Sequence, residues 1–490
     1  MRAGITTVAH AAVAAAIFAA QPVHGFWRMR CPGRTGVARM DPLVEPGAPS
    51  DHAHTIHGGN NFGFDTGYDD LMASDCTSCA VTQDRSAYWT PTLQFVYPNG
   101  TSELVGQTGG MLAYYLLFGE NIQAFPPGFR LLAGDTLMRN FSFPVPDPPK
   151  SSWSGDAATQ DALRQKALGF NCLNYDRDPE ATLYRHTMPS KQYLDDNCAN
   201  GLRLELMFPS CWNGQDLDSD DHKSHVAYPS LVMDGDCPEG FEQRVPSLLY
   251  ETIWATQDFA GVEGEFVISN GDPTGCGYHG DFIAGWDEDF LQLAVDTCTN
   301  PSGNIEDCPH FDIQSEDDCR SCKFTMPSEL DDDDCEGPRE GLPGNVPIQA
   351  GPEYASKVSP GDEETFAPSS DDATSSLPVA THMPSLGYSA GTRIATDNYG
   401  EATDLIVAEK QQSTAEPAET TPLPTLDDIQ AVSEEEEDSN AVTTTTYTSA
   451  GIVYELVIEE VEVTVTATTT AAVKHRRHVH HHNHHHGAHF

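Results

Sequence analysis

The chain has 490 residues, of which 74 are acidic and 26 are basic, so its formal net charge is −48 at neutral pH. A surface this acidic repels phosphate backbones, which argues against nucleic acid as a partner. The length allows two or three domains. Pro, Ser, Thr and acidic residues dominate the C-terminal third, however, and such a composition cannot bury enough apolar area to form a core.

The N-terminus has the pattern of a secretory signal peptide. Met1–Gly25 starts with a basic region, continues through the apolar run Ala11–Ala20 and ends in short residues. We therefore expect cleavage before Phe26 and a secreted protein, located extracellularly or in a cell wall. The apolar run is shorter than the roughly 20 residues that cross a bilayer, so we expect no transmembrane span. The sequons at Asn99 and Asn140 fit this compartment as N-glycosylation sites.

Thirteen cysteines predict disulfides, because the extracellular compartment lets them persist. Cys76 and Cys79 have the C-x-x-C spacing of zinc ligands, as do Cys319 and Cys322, but we expect disulfides there as well. The odd number leaves one cysteine over.

Residues 26–300 have the character of a globular domain, with short apolar runs bounded by Gly, Pro, Asn and Asp. Between Leu202 and Phe208, apolar residues alternate with Arg203 and Glu205, which predicts a strand with one apolar and one charged face. Many short runs of this kind predict a mainly β fold, with a β-sandwich or jelly-roll-like core, long loops and few short helices. Helices are expected at 156–168 and 287–295.

The remaining chain divides by composition. Residues 301–335 form a cysteine-rich acidic extension ending in Asp331–Asp334, where a solvated charge run is favoured over a calcium site because the spaced EF-hand pattern is missing. Residues 336–473 are expected to be a disordered, acidic Ser/Thr/Pro-rich linker, although 452–468 alternates like a strand and has no evident partner. The His-rich tail, residues 474–490, holds nine histidines, which predicts that it binds divalent metal.

One stretch concentrates side chains that bind metal, transfer protons or hydrogen-bond a sugar. Asp51–Phe62 reads DHAHTIHGGNNF. Two later stretches have a similar character: residues 208–229 read FPSCWNGQDLDSDDHKSHVAYP, and residues 269–286 read SNGDPTGCGYHGDFIAGW. We expect these three stretches to be loops that line one cleft.

Several motifs recur in the order seen in a known family. With FWRMRCPG at 26–33, YWTP at 88–91 and FPPGFRLLAGD at 125–135, the three stretches resemble the fungal secreted family catalogued as DUF1996. The resemblance covers about residues 26–300. It implies a domain and a compartment, and it implies no activity.

A metal site is the first interpretation of these stretches. His52 and His54 are two residues apart, so on a strand both point to one face, as in the His-x-His ligand pairs of jelly-roll metal proteins. His222 and His225, three apart beside several aspartates, would add ligands from a helical turn or a tight loop. These four histidines are the predicted ligands of a divalent metal, the one cofactor that the sequence suggests. Clustered histidines also hydrogen-bond ligands or loops, which is the alternative.

Acid–base chemistry on a glycosidic bond is the second interpretation. Cleavage by hydrolysis or elimination requires a proton donor opposite a carboxylate base. Asp and His in glycine-rich loops also make turn and capping hydrogen bonds, so a structural role is the alternative. The candidate catalytic residues are Asp51, His57, Asp221, His222, His279 and Asp281.

Sugar binding without catalysis is the third interpretation. Aromatic rings would contact sugar C–H groups, and polar side chains would contact hydroxyls. Aromatic residues are equally ordinary members of a core. The candidate substrate-binding residues are Asn60, Asn61, Trp89, Trp212, Asn213, Asp272, Tyr278 and Trp286.

Together these features predict a secreted fungal protein that binds or acts on cell-wall or plant polysaccharide through a cleft lined by His, Asp and aromatic residues. The sequence leaves enzyme status open, and an enzyme would be a glycoside-cleaving hydrolase or lyase. The competing function is a non-catalytic structural or adhesive cell-wall protein whose folded head displays the acidic linker and the His-rich tail.

Overall fold

The computed structural model describes residues 25–357 and the backbone of 441–449 and 452–459. Antiparallel strands dominate these residues and the helices are short, so the predicted mainly β fold is confirmed. The strands are β1 (Phe26–Cys31), β2 (Gly36–Ala38), β3 (His54–Gly58), β4 (Ala87–Pro91), β5 (Leu93–Val96), β6 (Thr101–Leu104), β7 (Gln107–Leu116), β8 (Arg130–Gly134), β9 (Leu168–Cys172), β10 (Leu202–Met207), β11 (Cys211–Trp212), β12 (Val226–Ala227), β13 (Gln243–Arg244), β14 (Ser247–Trp254), β15 (Glu265–Ile268), β16 (His279–Ile283), β17 (Arg339–Glu340), β18 (Ala441–Ser449) and β19 (Ile452–Glu459). The helices are α1 (Tyr68–Met72), α2 (Gln160–Gln165), α3 (Lys191–Asn197), α4 (Glu288–Thr297) and α5 (Glu316–Ser321), with 3-10 turns at Lys150–Ser152, Gly155–Ala158, Thr256–Phe259, Ile305–Asp307, Ser328–Leu330 and Pro343–Asn345.

Side-chain caps start helices α2 to α5. In each case the capping oxygen accepts a hydrogen bond from the backbone N–H three residues further on, which satisfies a donor that the helix itself leaves free. The expected helix at 287–295 corresponds to α4, whereas 156–168 forms a 3-10 turn, α2 and the first residue of β9. Within the described ranges, no helix has both the length and the apolar character needed to cross a membrane. The caps are Thr159, Ser190, Asp287 and Ser315.

Two five-stranded antiparallel sheets face each other. Sheet I has the order β1-β7-β14-β10-β9, and sheet II has the order β2-β3-β4-β16-β8. Tyr250 of sheet I and Tyr88 of sheet II pack edge to face, with ring centroids 5.7 Å apart. The Tyr250 hydroxyl also donates to the Asp281 carbonyl of sheet II at 3.0 Å. The main hydrophobic core lies between the sheets, the arrangement of a β-sandwich.

Smaller sheets complete the fold. One has the order β15-β5-β6-β17 and another the order β12-β11-β13. Separately, β18 pairs with β19 in an antiparallel ladder. The alternating segment that begins at Ile452 therefore pairs with the strand that precedes it in the chain.

The alternation at Leu202–Met207 produces the predicted strand β10, but both of its faces are buried. Leu202 and Leu204 belong to the main core. Glu205 is covered on the other face by the chain near Leu183, whose N–H donates to Glu205 Oε2 at 2.6 Å. The predicted charged face is thus present but buried, because a loop that sequence periodicity cannot place covers it.

Five disulfides form, and all thirteen cysteines lie in the described residues. Three cysteines remain free and buried rather than the expected one. Cys76 bonds to Cys322, which ties the cysteine-rich extension to the domain. The pairs are Cys31–Cys79, Cys76–Cys322, Cys172–Cys198, Cys211–Cys237 and Cys298–Cys308, and the free cysteines are Cys276, Cys319 and Cys335.

Ordered structure continues past the boundary expected at residue 336. Strand β17 pairs with β6, and the Ala355 N–H donates to the Leu137 carbonyl at 2.9 Å. In the preceding acidic run, Asp333 forms an ion pair with Arg39 at 2.6 Å. Residues 336–357 thus pack on the domain; the His-rich tail and the rest of the linker, β18 and β19 apart, lie outside the described residues.

Candidate metal centre

Strand pairing brings distant parts of the sequence together on one face of sheet II. Trp89 of β4 pairs with Ile56 of β3 on one side and with Asp281 of β16 on the other. Cross-strand partners share a face, and so do residues two apart on a strand. His54 and His279, each two residues before one of these partners, therefore lie on that same face.

Three imidazoles form a cluster there. Nε2 of His52 and Nε2 of His279 are 3.1 Å apart, and one ring nitrogen each of His52, His54 and His279 lies within 4.8 Å of the other two. With zinc–nitrogen distances of about 2.0–2.1 Å, the His52–His279 separation corresponds to an N–metal–N angle of about 100°. The His279 Nδ1–H donates to the Gly277 carbonyl at 2.9 Å, which leaves its Nε2 lone pair available to a metal.

Two carboxylates lie beside His54. Ligand atoms of Asp41, His54 and Asp281 are within 4.8 Å of one another. Asp281 is fully buried, and neither of its carboxylate oxygens has a hydrogen bond. Both ring nitrogens of His54 are buried and make no hydrogen bond of regular geometry, although the Met40 backbone lies close enough to oppose the lowering of the His54 pKa. Buried polar groups are costly when they lack partners, so this pattern indicates a ligand site. We call the five residues Asp41, His52, His54, His279 and Asp281 the histidine–aspartate cluster.

Burial sets the charge of the cluster. It lowers the pKa of His52 and of His54 well below the ordinary value, with a further contribution from neighbouring histidines. It lowers the pKa of His279 to about 4. All three imidazoles are therefore neutral at neutral pH, the form that binds metal. Burial also raises the pKa of Asp41 to about 6 and that of Asp281 well above its ordinary value, which favours the protonated acid. A cation bound beside them would lower both pKa values and favour the carboxylate form.

His52 is the most accessible member of the cluster, with 9% of its surface exposed. The loop 218–224 lies against the neighbouring part of sheet II. Its His222 carbonyl accepts a hydrogen bond from the Leu132 N–H at 2.9 Å, and Leu132 pairs with Asp281. An approaching ligand would therefore meet the His52 edge first.

The family comparison covers this region. The model of the family described as domain of unknown function (DUF1996) matches residues 41–286, half of the chain. The chain belongs to the DUF1996 family. The relationship expected from the motifs is thereby confirmed, and the DUF1996 match runs from Asp41 past Asp281, so it contains the whole cluster. No curated protein and no solved structure matches the chain.

Two of the four histidines predicted from their spacing as metal ligands, His52 and His54, belong to the cluster. His225 has both ring nitrogens engaged, with Ser219 Oγ at 2.9 Å and the Arg130 carbonyl at 3.0 Å. His222 lies outside the cluster, and its Nδ1 contacts an Asp218 oxygen at 2.7 Å. These two histidines hold the loop 218–224 in place.

The acid–base candidates divide in the same way. His279 and Asp281 are cluster members. Asp51 lies one residue before His52, and burial followed by a hydrogen bond with Glu45 raises its pKa to about 6. His57 pairs with Tyr88 on the opposite, core-facing side of sheet II, where burial lowers its pKa to about 3.

Asp221 lies in the loop and accepts hydrogen bonds from the backbone N–H groups of Lys223 and Ser224 at 3.1 and 2.8 Å. Burial alone would raise its pKa, but these hydrogen bonds lower it well below the ordinary value. The carboxylate therefore stays ionised and stabilises the loop through these hydrogen bonds. An ionised carboxylate is poorly suited to donate a proton.

The four aromatic candidates for sugar contact are buried and present no open ring face. Trp89, Tyr278 and Trp286 are at most 1% exposed, and Trp212 is 8% exposed. The indole N–H groups of Trp212 and Trp286 donate to the Asp216 carbonyl and the Tyr115 hydroxyl. These rings are core residues of the sandwich and its loops.

The polar candidates for sugar contact make local hydrogen bonds. Asn60 Oδ1 accepts from the Cys76 N–H, and Asn61 Nδ2 donates to the Asp70 carbonyl. Asn213 Oδ1 accepts from two following backbone N–H groups. Asp272 is buried, accepts from the Thr274 and Gly277 N–H groups and lies 3.7 Å from Arg139.

Sequence reasoning missed Asp41 and gave His279 a different role. His279 and Asp281 share the two-residue spacing of His52 and His54, and that shared pattern is a signal that could have paired them as ligands. Asp41 stands in no motif. Its place in the cluster follows from the chain turning back after β2, where its Oδ1 accepts hydrogen bonds from the Leu43 and Val44 N–H groups.

Proposed function

We propose that the DUF1996 domain binds one divalent transition-metal ion through His52, His54 and His279. The observation that carries this proposal is a buried cluster in which neither carboxylate oxygen of Asp281 has a hydrogen-bond partner and the ring nitrogens of His54 make no hydrogen bond of regular geometry. Neutral imidazoles suit zinc, copper, iron and nickel. A bound dication would also offset the cost of burying two carboxylates next to each other.

In this proposal the three imidazoles would coordinate the ion, and Asp41 or Asp281, each with an oxygen within 4.8 Å of a His54 ring nitrogen, would accept the remaining N–H of His54 when the metal is bound. A carboxylate behind a coordinating histidine fixes the ring and makes it a stronger ligand. Three protein ligands leave one coordination position for water or a substrate, the composition of a catalytic zinc site. That position would face the His52 edge, where the cluster is least buried, and a metal there supplies Lewis-acid chemistry.

The setting of this chemistry is proposed to be extracellular, at a polysaccharide-containing wall. Met1–Gly25 has signal-peptide character, and five disulfides suit an oxidising compartment.

Metal content tests the proposal directly. The protein is a full-length variant in which the nine histidines of the His-rich tail are replaced by serine, so that the tail does not contribute. After loading with zinc and desalting, elemental analysis should give about one zinc per chain, and His54→Ala should give none. His225→Ala is the matched control, because both of its nitrogens are already engaged, and it should keep the metal. A folded protein without zinc, copper, iron or nickel after loading with each would refute the proposal.

The His-rich tail supports a second candidate function, in which a wall protein captures divalent metal through the tail alone. The tail lies outside the described residues, and its nine histidines carry this proposal. Imidazole binds metal when neutral and has an ordinary pKa of about 6.5, so affinity should fall steeply between about pH 7 and pH 5. Titration of a synthetic 474–490 peptide with zinc at both pH values tests it, and equal affinities would exclude it.

A further inference from the structure

Two lysines near the histidine–aspartate cluster have free ammonium groups. Residues 25–357 contain six lysines. Within that range, the side chains of Lys223 and Lys357 make no hydrogen bond or ion pair, whereas the other four do. Those four contacts are Lys150 to the Leu231 carbonyl, Lys166 to the Ala157 carbonyl, Lys191 to Asp195 and Lys323 to the Arg34 carbonyl.

Both free lysines are close enough to the cluster for their charges to affect its pKa values. After burial, which is the largest cause, the charge of Lys223 contributes to the pKa of His279 and of Asp281, and the charge of Lys357 contributes to the pKa of His52 and of Asp51. The neighbouring backbone agrees with this placement, because the residue before Lys223 bonds to Leu132, the cross-strand partner of Asp281.

The loop holds the backbone of Lys223 firmly while its side chain stays unengaged. His222 has a φ of +56°, a left-handed conformation that costs energy for a residue with a side chain. It is fixed by its ring contact with Asp218 at 2.7 Å. Asp221 Oδ1 then accepts the Lys223 N–H at 3.1 Å. The backbone is thus strained at His222, the residue directly before Lys223.

Lys223 is half-buried, and no acidic side chain of the described residues forms an ion pair with its ammonium. The two carboxyl groups of the cluster do not pair with Lys223 either, since Lys223 forms no ion pair with Asp281 or Asp41. A metal ion would compensate these two carboxylates and leave the lysine charge available to something else.

We infer that the metal centre takes an anionic ligand, whose carboxylate or phosphate oxygens occupy the open coordination position while Lys223 on the neighbouring loop pairs with its charge. This inference rests on the proposed metal site and names its substrate class. An acidic polysaccharide presents such carboxylates on its uronate units, and inorganic phosphate presents the same chemistry without a sugar. Charge-assisted bonds from lysine to these groups are the strong kind of hydrogen bond.

Calorimetric titration separates the possibilities. The zinc-loaded, tail-substituted full-length protein, with its zinc content measured first, is titrated with trigalacturonate, with neutral cellotriose and with inorganic phosphate. We expect trigalacturonate to bind at least about tenfold more tightly than cellotriose, and Lys223→Gln to weaken it by about tenfold or more without loss of zinc. Lys191→Gln, which removes an exposed lysine already paired with Asp195, is the control and should change nothing.

Each outcome bears on one claim. Tighter binding of phosphate than of trigalacturonate, with the same dependence on Lys223, supports the anion site and assigns it to phosphate chemistry. Equal binding of the neutral and acidic sugars, or full affinity in Lys223→Gln, overturns the inference while leaving the metal site intact. A protein that loads no metal overturns the proposed function, and the zinc measurement reports this before any titration.

Discussion

Sheet I and sheet II both carry buried polar groups on the face turned away from their shared core, and the two groups differ in charge balance. On sheet I, Arg203 lies 2.9 Å from Glu205 and 3.9 Å from Glu251, the cross-strand partner of Glu205. Glu205 also accepts the Leu183 N–H, and Glu251 accepts the Tyr114 hydroxyl. On sheet II, His54 and Asp281 have none of these contacts.

The difference separates structure from function. On sheet I one arginine lies between two glutamates, so the buried charges have partners of opposite sign and need no ligand, even though Arg203 Nε makes no hydrogen bond. Gly169 of sheet I leaves space for the Glu205 carboxylate, since a Cβ at this position would lie 2.4 Å from Glu205 Oε2. In the described part of the chain, no lysine or arginine forms an ion pair with Asp41 or Asp281 of the histidine–aspartate cluster. The proposed metal ion would supply the missing positive charge.

The largest expected effect comes from breaking the balanced group. Glu205→Ala leaves Arg203 buried with an incomplete set of partners, which costs about 3–5 kcal/mol of unfolding free energy. Chemical denaturation measures this loss. Glu265, exposed on β15, provides the control, and Glu265→Ala should stay within about 0.5 kcal/mol of wild type. A mild effect of Glu205→Ala would mean that sheet I is not held by its charges.

Zinc should stabilise the unbalanced group by a comparable amount. At a free concentration of about a thousand times the dissociation constant, binding to the folded state alone adds about 4 kcal/mol. Thermal unfolding of the tail-substituted protein should show this gain, and a chelator should reverse it. His279→Ala should abolish the gain, whereas Glu205→Ala should retain it. A zinc response that survives in His279→Ala would place the ion elsewhere.

Asp84 offers an intermediate case, because it is hydrogen-bonded but lacks an ion pair. Its oxygens accept from the Tyr88 hydroxyl at 2.5 Å and from the Ser86 N–H at 2.9 Å, and burial raises its pKa to about 6. A raised carboxyl pKa in the folded state favours folding at low pH, and this contribution is lost as the pH rises from about 4 through about 6.

Asp84→Asn should remove that loss. Relative to the variant, the wild type should lose about 3 kcal/mol of unfolding free energy between pH 4 and pH 7. Urea unfolding of metal-free protein at both pH values measures it. Parallel behaviour of the two proteins would show that Asp84 is already compensated in the folded state.

The smallest effect on unfolding free energy is expected for an arginine–glutamate pair that is exposed to solvent. Arg320 and Glu316 lie 2.6 Å apart on α5, and about half of each side chain is exposed. Glu316→Ala should change the unfolding free energy by less than about 0.5 kcal/mol. Denaturation beside Glu205→Ala makes the contrast quantitative, and a loss approaching that of Glu205→Ala would show that burial is not what separates the two pairs.

Local sequence patterns predicted those features of the fold and the site that depend on residues close together in the sequence. The alternation at Leu202 gave strand β10, and the spacing of His52 and His54 anticipated that both would join one cluster. The cover over Glu205 and the approach of His279 to His52 depend on contacts between residues far apart in sequence. Nothing in the local pattern of His225 distinguishes a ligand from a residue that fixes a loop, so only the observed bonds assign it.

Sheet II also has a consequence for the order of events during synthesis. His52 and His279, whose Nε2 atoms are neighbours, are 227 positions apart in the chain. At a translation rate of about 5–20 residues per second, roughly 10 to 45 seconds separate their emergence from the ribosome. During that interval the nascent chain displays a His-x-His half-site without its partner strand. We therefore expect the ion to be acquired only after β16 has joined the sheet, from whichever compartment the finished domain then occupies.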